Sequence, residues 1–144
     1  MARITKAGTG GAVHIATGGG STYETIAEIR SWSVEESADT VESTNMGSAG
    51  VRSYKLTHKT WSGTADLYIP IDDSDGSEQF TEQNSIVSTI VIGTTYEFKF
   101  YVDDSTASFE SYAGTGIVTG ISRSVAHDGM AEMSVTIQGN SALT

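Results

Sequence analysis

The sequence has no cysteine and only one proline, Pro70, in 144 residues. Without thiols there is no disulfide framework, no thiolate zinc site and no cysteine nucleophile. No apolar run nears the roughly 18 residues that cross a bilayer as a helix, so no membrane partner is expected. The opening run Met1-Ala2-Arg3-Ile4-Thr5-Lys6 lacks the apolar stretch of a signal peptide. The expectation is a chain made and used in a cytoplasm, or carried out of it inside an assembly. Cations are also scarce: 8 Lys and Arg against 18 Asp and Glu give a formal net charge of −10. That balance argues against ordinary nucleic-acid binding, which needs Lys and Arg to displace counterions from phosphates. The excess of acid either serves solubility or marks a surface with a more specific use.

Glycine is plentiful, at 16 residues. Much glycine with almost no proline suits short strands joined by tight turns, where positive φ is needed at no steric cost. The length is that of a single domain, 1–144, large enough to bury a core.

Along the chain, residues 1–22 read as a flexible N-terminal arm, in which Gly-rich stretches bracket a short strand from Ala12 to Ala16. Tyr23 to Val34 reads as a long extended segment. Its apolar residues Ile26, Ile29, Trp32 and Val34 do not keep one parity, which calls for a bulge or for burial on both sides. Residues 35–58 are polar with a Gly-rich middle and read as an extended hairpin arm. A two-stranded hairpin is marginal alone in water, so the arm needs a partner surface.

Trp61 to Ile69 alternates, with Ala65, Leu67 and Ile69 on one face and Thr64, Asp66 and Tyr68 on the other. Pro70 ends that run. Asp75-Gly76-Ser77-Glu78 carries a helix-capping signal, and Phe80 and Val87 share one helical face, so a short helix is expected from near Ser77. Tyr96, Phe98, Phe100 and Val102 alternate with Glu97, Lys99, Tyr101 and Asp103. Phe109 to Arg123 reads as a long strand with Ile117 and Ile121 on one face and Val118 on the other. After the Asp128-Gly129 turn signal, Ala131, Met133, Val135 and Ile137 alternate with Glu132, Ser134, Thr136 and Gln138. Strict period 2 of this kind marks a sheet with one dry face and one wet face. The fold class is all-β with one short helix, an antiparallel sandwich or barrel.

The residues offer little chemistry. His14, His58 and His127 have no second His or Cys at metal-ligand spacing. Residues 71–82 place Asp73, Asp75, Gly76 and Glu82 at calcium-loop positions, but Ile71 stands where the first carboxylate belongs, leaving too few oxygens for calcium. Gly114-Thr115-Gly116 with Gly120 lacks dinucleotide-loop spacing; small residues there let a strand bend or another group approach. No serine lies in a nucleophile elbow. The reading is a non-enzymatic protein with no cofactor and no metal.

The order of several pieces resembles the tail tube proteins of siphophage-like bacteriophages or gene transfer particles. The pieces are Ile26 to Val34, the Thr/Glu-rich run Asp39 to Thr44 closing on Met46-Gly47, and Arg52 to Leu56 leading into Lys59-Thr60-Trp61-Ser62-Gly63-Thr64-Ala65-Asp66. They continue with Tyr96 to Tyr101, Tyr112 to Ser122, and Met133 to Gln138 followed by Gly139. The resemblance covers most of the chain. It implies a β-sandwich flanked by a helix, six copies to a ring, and rings stacked into a hollow tube through which double-stranded DNA leaves the capsid without sticking. It further implies a virion-tail location after assembly in the host cytoplasm, and tail tip or initiator, tape-measure and terminator proteins as partners.

Four strands from each of six copies would close a barrel roughly 45–50 Å across at about 4.8 Å spacing and a tilt near 40°. Under this resemblance the candidate acids of the bore are Glu28, Asp66, Glu97 and Glu132; ordinary solvent-facing acids remain the other reading of each. The candidate contacts between subunits or rings are Thr40, Glu42, Thr44, Asn45, Met46, Val51 and Tyr54. A tube subunit of a contractile or secretion-type injection machine, and a β-sandwich module that binds sugar or protein, are the alternatives.

Overall fold

The computed structural model describes residues 8–71, 74, 76–81, 89–105 and 111–144. Among these, seven strands form one antiparallel sheet. They are β1 (Ala12–Thr17), β2 (Glu24–Thr25), β3 (Ile29–Glu42), β4 (Tyr54–Tyr68), β5 (Thr95–Tyr101), β6 (Ser111–Ser124) and β7 (Glu132–Gly139). Their order across the sheet is β2-β1-β5-β6-β7-β4-β3. The only helical pieces described are two single 3-10 turns, Gly8–Gly10 and Met46–Ser48.

Period 2 sorts the side chains as expected. Trp61, Ala65 and Leu67 of β4 are buried together with Tyr96, Phe98 and Phe100 of β5 and Met133, Val135 and Ile137 of β7. Val13 and Ile15 of β1 join this core, and Ile26, Phe80 and Ile90 fill it from outside the long strands. The sheet is strongly curled. Trp32 of β3 lies 5.4 Å, ring to ring, from Phe100 of β5, although β4, β7 and β6 separate the two strands in the sheet order. Its indole N–H donates to the Tyr101 carbonyl at 3.1 Å, fastening one end of the sheet across the core.

Trp61 explains the glycines of β6 and β7. A Cβ on Gly114 would come 2.9 Å from the Trp61 ring, and a Cβ on Gly139 would overlap it. The small residues of Gly114-Thr115-Gly116 therefore form a slot for an indole. Its N–H donates to the Ser141 carbonyl at 2.8 Å.

Four expectations are corrected. Tyr23 to Val34 is not continuous, because residues 27 and 28 form a turn between β2 and β3. The segment 1–22 is not wholly an arm: β1 is paired with β2 and β5, and its Val13, Ile15 and Ala16 are buried, while residues 1–7 lie outside the described residues. No helix starts at Ser77, since Glu78 and Thr81 make β-bridges to Ile71 and Ile26. These pairings to flanking extended backbone prevail over the local capping signal; the expected continuation of the helix, residues 82–88, lies outside the described residues. Finally, Val118 and Ile121 share the core side, opposite Ile137 and Val135, while Ile117 faces away opposite Gln138. A bulge between Val118 and Gly120 adds one residue and reverses the parity beyond it.

The mixed parity of Ile29, Trp32 and Val34 has the bulge it called for. The β3–β4 register shifts between Ile29 and Ser31, so Ile29 and Trp32 both pack on the core while Arg30 and Ser31 turn the other way.

Candidate assembly site

Two surfaces stand out, a polar sheet wall and a projecting hairpin. The wall is the face of β6, β7, β4 and β3 that turns away from the core. Pairing aligns Ser31, Asp66, Ser134 and Ser122 in one row across the four strands, and Ser33, Thr64, Thr136 and Gly120 in the next. Hydroxyl groups dominate because each is the polar partner of an alternating apolar position. The charges on this wall are locally held. Ser31 donates its hydroxyl to Asp66 at 3.1 Å. Arg30, aimed by the β3 bulge, pairs with Glu132 at 2.6 Å and lies 5.2 Å over the Tyr68 ring.

Of the four candidate acids, Asp66 and Glu132 meet, lining one depression of about 90 Å³ with Arg30. Glu97 is one strand beyond the wall, on β5, where it accepts the Tyr23 hydroxyl at 3.0 Å. Lys99 sits 4.1 Å over the same Tyr23 ring. Burial first, then the hydrogen bond and charge of Glu97, push the Tyr23 phenol above its usual range. Glu28 is on no strand. It occupies the turn before β3 with φ of 60° and is exposed.

The hairpin is the distal part of β3 and β4. β7 pairs with β4 only between Ser62 and Tyr68, so Tyr54 to Trp61 have β3 as their sole described strand partner and every residue from Tyr54 to Thr60 is exposed. An extra residue, Thr57, shifts the register between Asp39 and Thr40 and donates its hydroxyl to the Asp39 carbonyl at 3.0 Å. The tip is ordered by its own polar groups. Thr44 donates to Glu42 at 2.8 Å and accepts the Ser53 N–H at 3.1 Å, and Asn45 accepts the Gly47 N–H at 2.9 Å.

All seven candidate contacts, Thr40, Glu42, Thr44, Asn45, Met46, Val51 and Tyr54, are exposed on this hairpin. Val41 and Leu56 are exposed there as well and escaped the sequence reading. Their only signal was an apolar residue inside a polar run. Arg30 also escaped it, because no sequence pattern discloses that a bulge turns it onto the wall.

No group of three His, Cys, Asp or Glu that could hold a metal occurs among the described residues. Asp73, Asp75 and Glu82 of the calcium-like loop lie outside them.

No protein-family model matches the sequence, and no curated protein is similar to it. Solved structures are similar. The tail of an empty gene transfer agent (GTA) particle, refined helically with C6 symmetry, superposes with a TM-score of 0.64 at 20% identity, covering 97% of this chain and 98% of that one. The virion of a native GTA particle gives 0.60 at 19%, with the same coverage. The SPP1 tail tube, from solid-state NMR and cryo-EM, gives 0.64 at 12%, covering 95% of this chain and 77% of that one. At these identities the likeness establishes the fold: the chain has the tail-tube fold.

Proposed function

We propose that the chain is the structural subunit of a phage-type or gene-transfer-particle tail tube. Six copies form a ring, as the C6 symmetry of the similar GTA tail suggests, and rings stack into a conduit for double-stranded DNA. The observation that carries this reading is the pairing of two features: a four-strand wall with one dry and one hydroxyl-rich face, and a hairpin that is exposed from Tyr54 to Thr60 and has β3 as its sole strand partner there among the described residues. Neither is explained by a free monomer. An exposed strand edge is an aggregation hazard, and ring closure removes it.

The polar wall turns inward in this reading. A bore of hydroxyls with few free cations makes few phosphate contacts, and each missing contact removes salt-dependent affinity. Asp66 and Glu132 supply the acid of the lining, and Glu132 also holds Arg30. The function is non-enzymatic, the location is the virion tail after assembly in the host cytoplasm, and the ends of the tube meet initiator, tape-measure and terminator proteins. Negative-stain imaging of the concentrated purified protein tests the core of the proposal. Rings or hollow striated filaments are expected. A chain that stays monomeric at millimolar concentration overturns it.

A further inference from the structure

The chain has four methionines, Met1, Met46, Met130 and Met133. Met1 lies outside the described residues, and the other three occupy three different environments. Met133 of β7 is in the core and 2% exposed. Met130, in the loop before β7, is 63% exposed. Met46, in the 3-10 turn at the hairpin tip, is exposed in full. A thioether is oxidised through its sulfur lone pair, so access to the sulfur governs which methionine reacts first.

The tip holds the Met46 side chain out while ordering its own backbone. The Ser43 N–H donates to the Ser53 carbonyl at 2.8 Å and closes the loop. Within it, Thr44 and Asn45 accept the N–H groups of Ser53 and Gly47. Ala49 and Gly50 follow with left-handed backbones, φ 51° and 81°, a conformation uncommon for Ala. None of these bonds uses the Met46 side chain. Val41, Val51, Tyr54 and Leu56 are exposed on the same hairpin. In the tail-tube reading this apolar set, with Met46 at its end, is what a neighbouring copy covers.

We propose that Met46 is a redox-sensitive site: hydrogen peroxide converts its thioether to the sulfoxide in the free subunit, and the sulfoxide blocks assembly. The inference rests on the tail-tube reading and deepens it. In the step, a sulfur lone pair attacks one peroxide oxygen, and the S–O bond forms as the O–O bond breaks. Sulfur loses two electrons and the peroxide gains them. The departing hydroxide takes the proton of the S–OH group and leaves as water. The product is polar and chiral where the thioether was flexible and apolar. Burying its oxygen against an apolar surface without a donor is costly, so a contact built on Met46 is weakened. Methionine sulfoxide reductases, one for each sulfoxide epimer, reverse the change.

Peroxide treatment of the unassembled protein, followed by peptide mass spectrometry, tests the site. Met46 is expected to gain one oxygen first, Met130 more slowly, and Met133 not until the chain unfolds. Sedimentation and imaging test the consequence. The oxidised protein is expected to need roughly tenfold more protein to form filaments, and the reductase pair to restore the original threshold. Met46→Leu keeps an apolar side chain without the sulfur and should assemble alike before and after peroxide. Its position is exposed, so a urea midpoint close to that of the unaltered chain verifies folding. In tubes formed beforehand, Met46 should oxidise more slowly than in the free subunit. Four results overturn the proposal and leave the tube intact: Met133 oxidised in step with Met46, an unchanged threshold after Met46 is oxidised, a Met46→Leu chain that peroxide still blocks, or equal Met46 rates in tubes and free subunits. If the reduced, unaltered chain forms neither rings nor filaments, the tail-tube reading fails and the switch with it.

Discussion

Arg30 and Glu132 meet at 2.6 Å although β4 runs between their strands. The guanidinium crosses Tyr68 of β4 to reach the carboxylate on β7. Only the bulge at the start of β3 makes this reach available, because it turns Arg30 and Ser31 to the same side. The pair keeps a cation on the polar wall from standing free. It is close to half exposed, so its contribution to stability is small, at most about 1 kcal/mol.

Glu132→Gln is therefore expected to leave folding almost unchanged and to release Arg30. The assembled variant should retain DNA at low salt and lose it as salt rises, since each freed phosphate contact steepens the salt dependence. Arg30→Gln/Glu132→Gln should abolish that retention. Fluorescence anisotropy of labelled duplex against salt concentration checks both. Equal retention by the unaltered protein and Glu132→Gln would show that Arg30 does not face the DNA.

Gly139→Ala places a methyl where the Trp61 indole lies. The indole must move, and with it the bond to the Ser141 carbonyl. Overpacking of this kind costs about 1–3 kcal/mol, read as a lower urea midpoint at unchanged slope. Gly19→Ala, where a Cβ meets nothing but φ is +81°, separates backbone strain from overlap; it should leave Trp61 fluorescence unchanged while Gly139→Ala shifts it.

Trp32→Phe removes the N–H that bonds the Tyr101 carbonyl and keeps an aromatic ring beside Phe100. The expected loss is about 1 kcal/mol. Amide exchange should quicken near Tyr101 and in the proximal part of β3 more than in β6 and β7, because the fastening of the curled sheet is what is weakened.

Tyr23 supplies a pH-dependent term. Its folded pKa is raised above the ordinary tyrosine value of about 10, by burial and by Glu97, so the folded protein holds the phenolic proton more tightly than the unfolded chain. This contribution is complete below pH 10, declines as pH rises beyond it, and is lost above the folded pKa. Tyr23→Phe should remove this part of the alkaline decline. Denaturant midpoints measured across alkaline pH for both proteins check it.

Much of the fold was written in single-residue alternation. Met133, Val135 and Ile137 against Ser134, Thr136 and Gln138 determined a dry and a wet face for β7, and Phe98 and Phe100 did the same for β5. Local period is enough there because adjacent Cβ atoms on a strand point to opposite sides. The sequence also determined the absence of thiol chemistry and the acidic balance, both of which are properties of composition.

Tertiary structure decided what depends on partners distant in the chain. The sequence Asp75-Gly76-Ser77-Glu78 holds a helix-capping pattern, but bridges from Ile71 to Glu78 and from Ile26 to Thr81 set the backbone at Glu78 and Thr81. Ile117 and Ile121 share a spacing of four, yet the bulge beside β7 sends them to opposite faces. Glu28 and Glu132 look alike as acids among polar neighbours. The turn before β3 leaves one exposed at the end of the sheet, and a second bulge gives the other a cation. Bulges and long-range pairings add or cancel one residue of register, and one residue is enough to move a side chain to the other face.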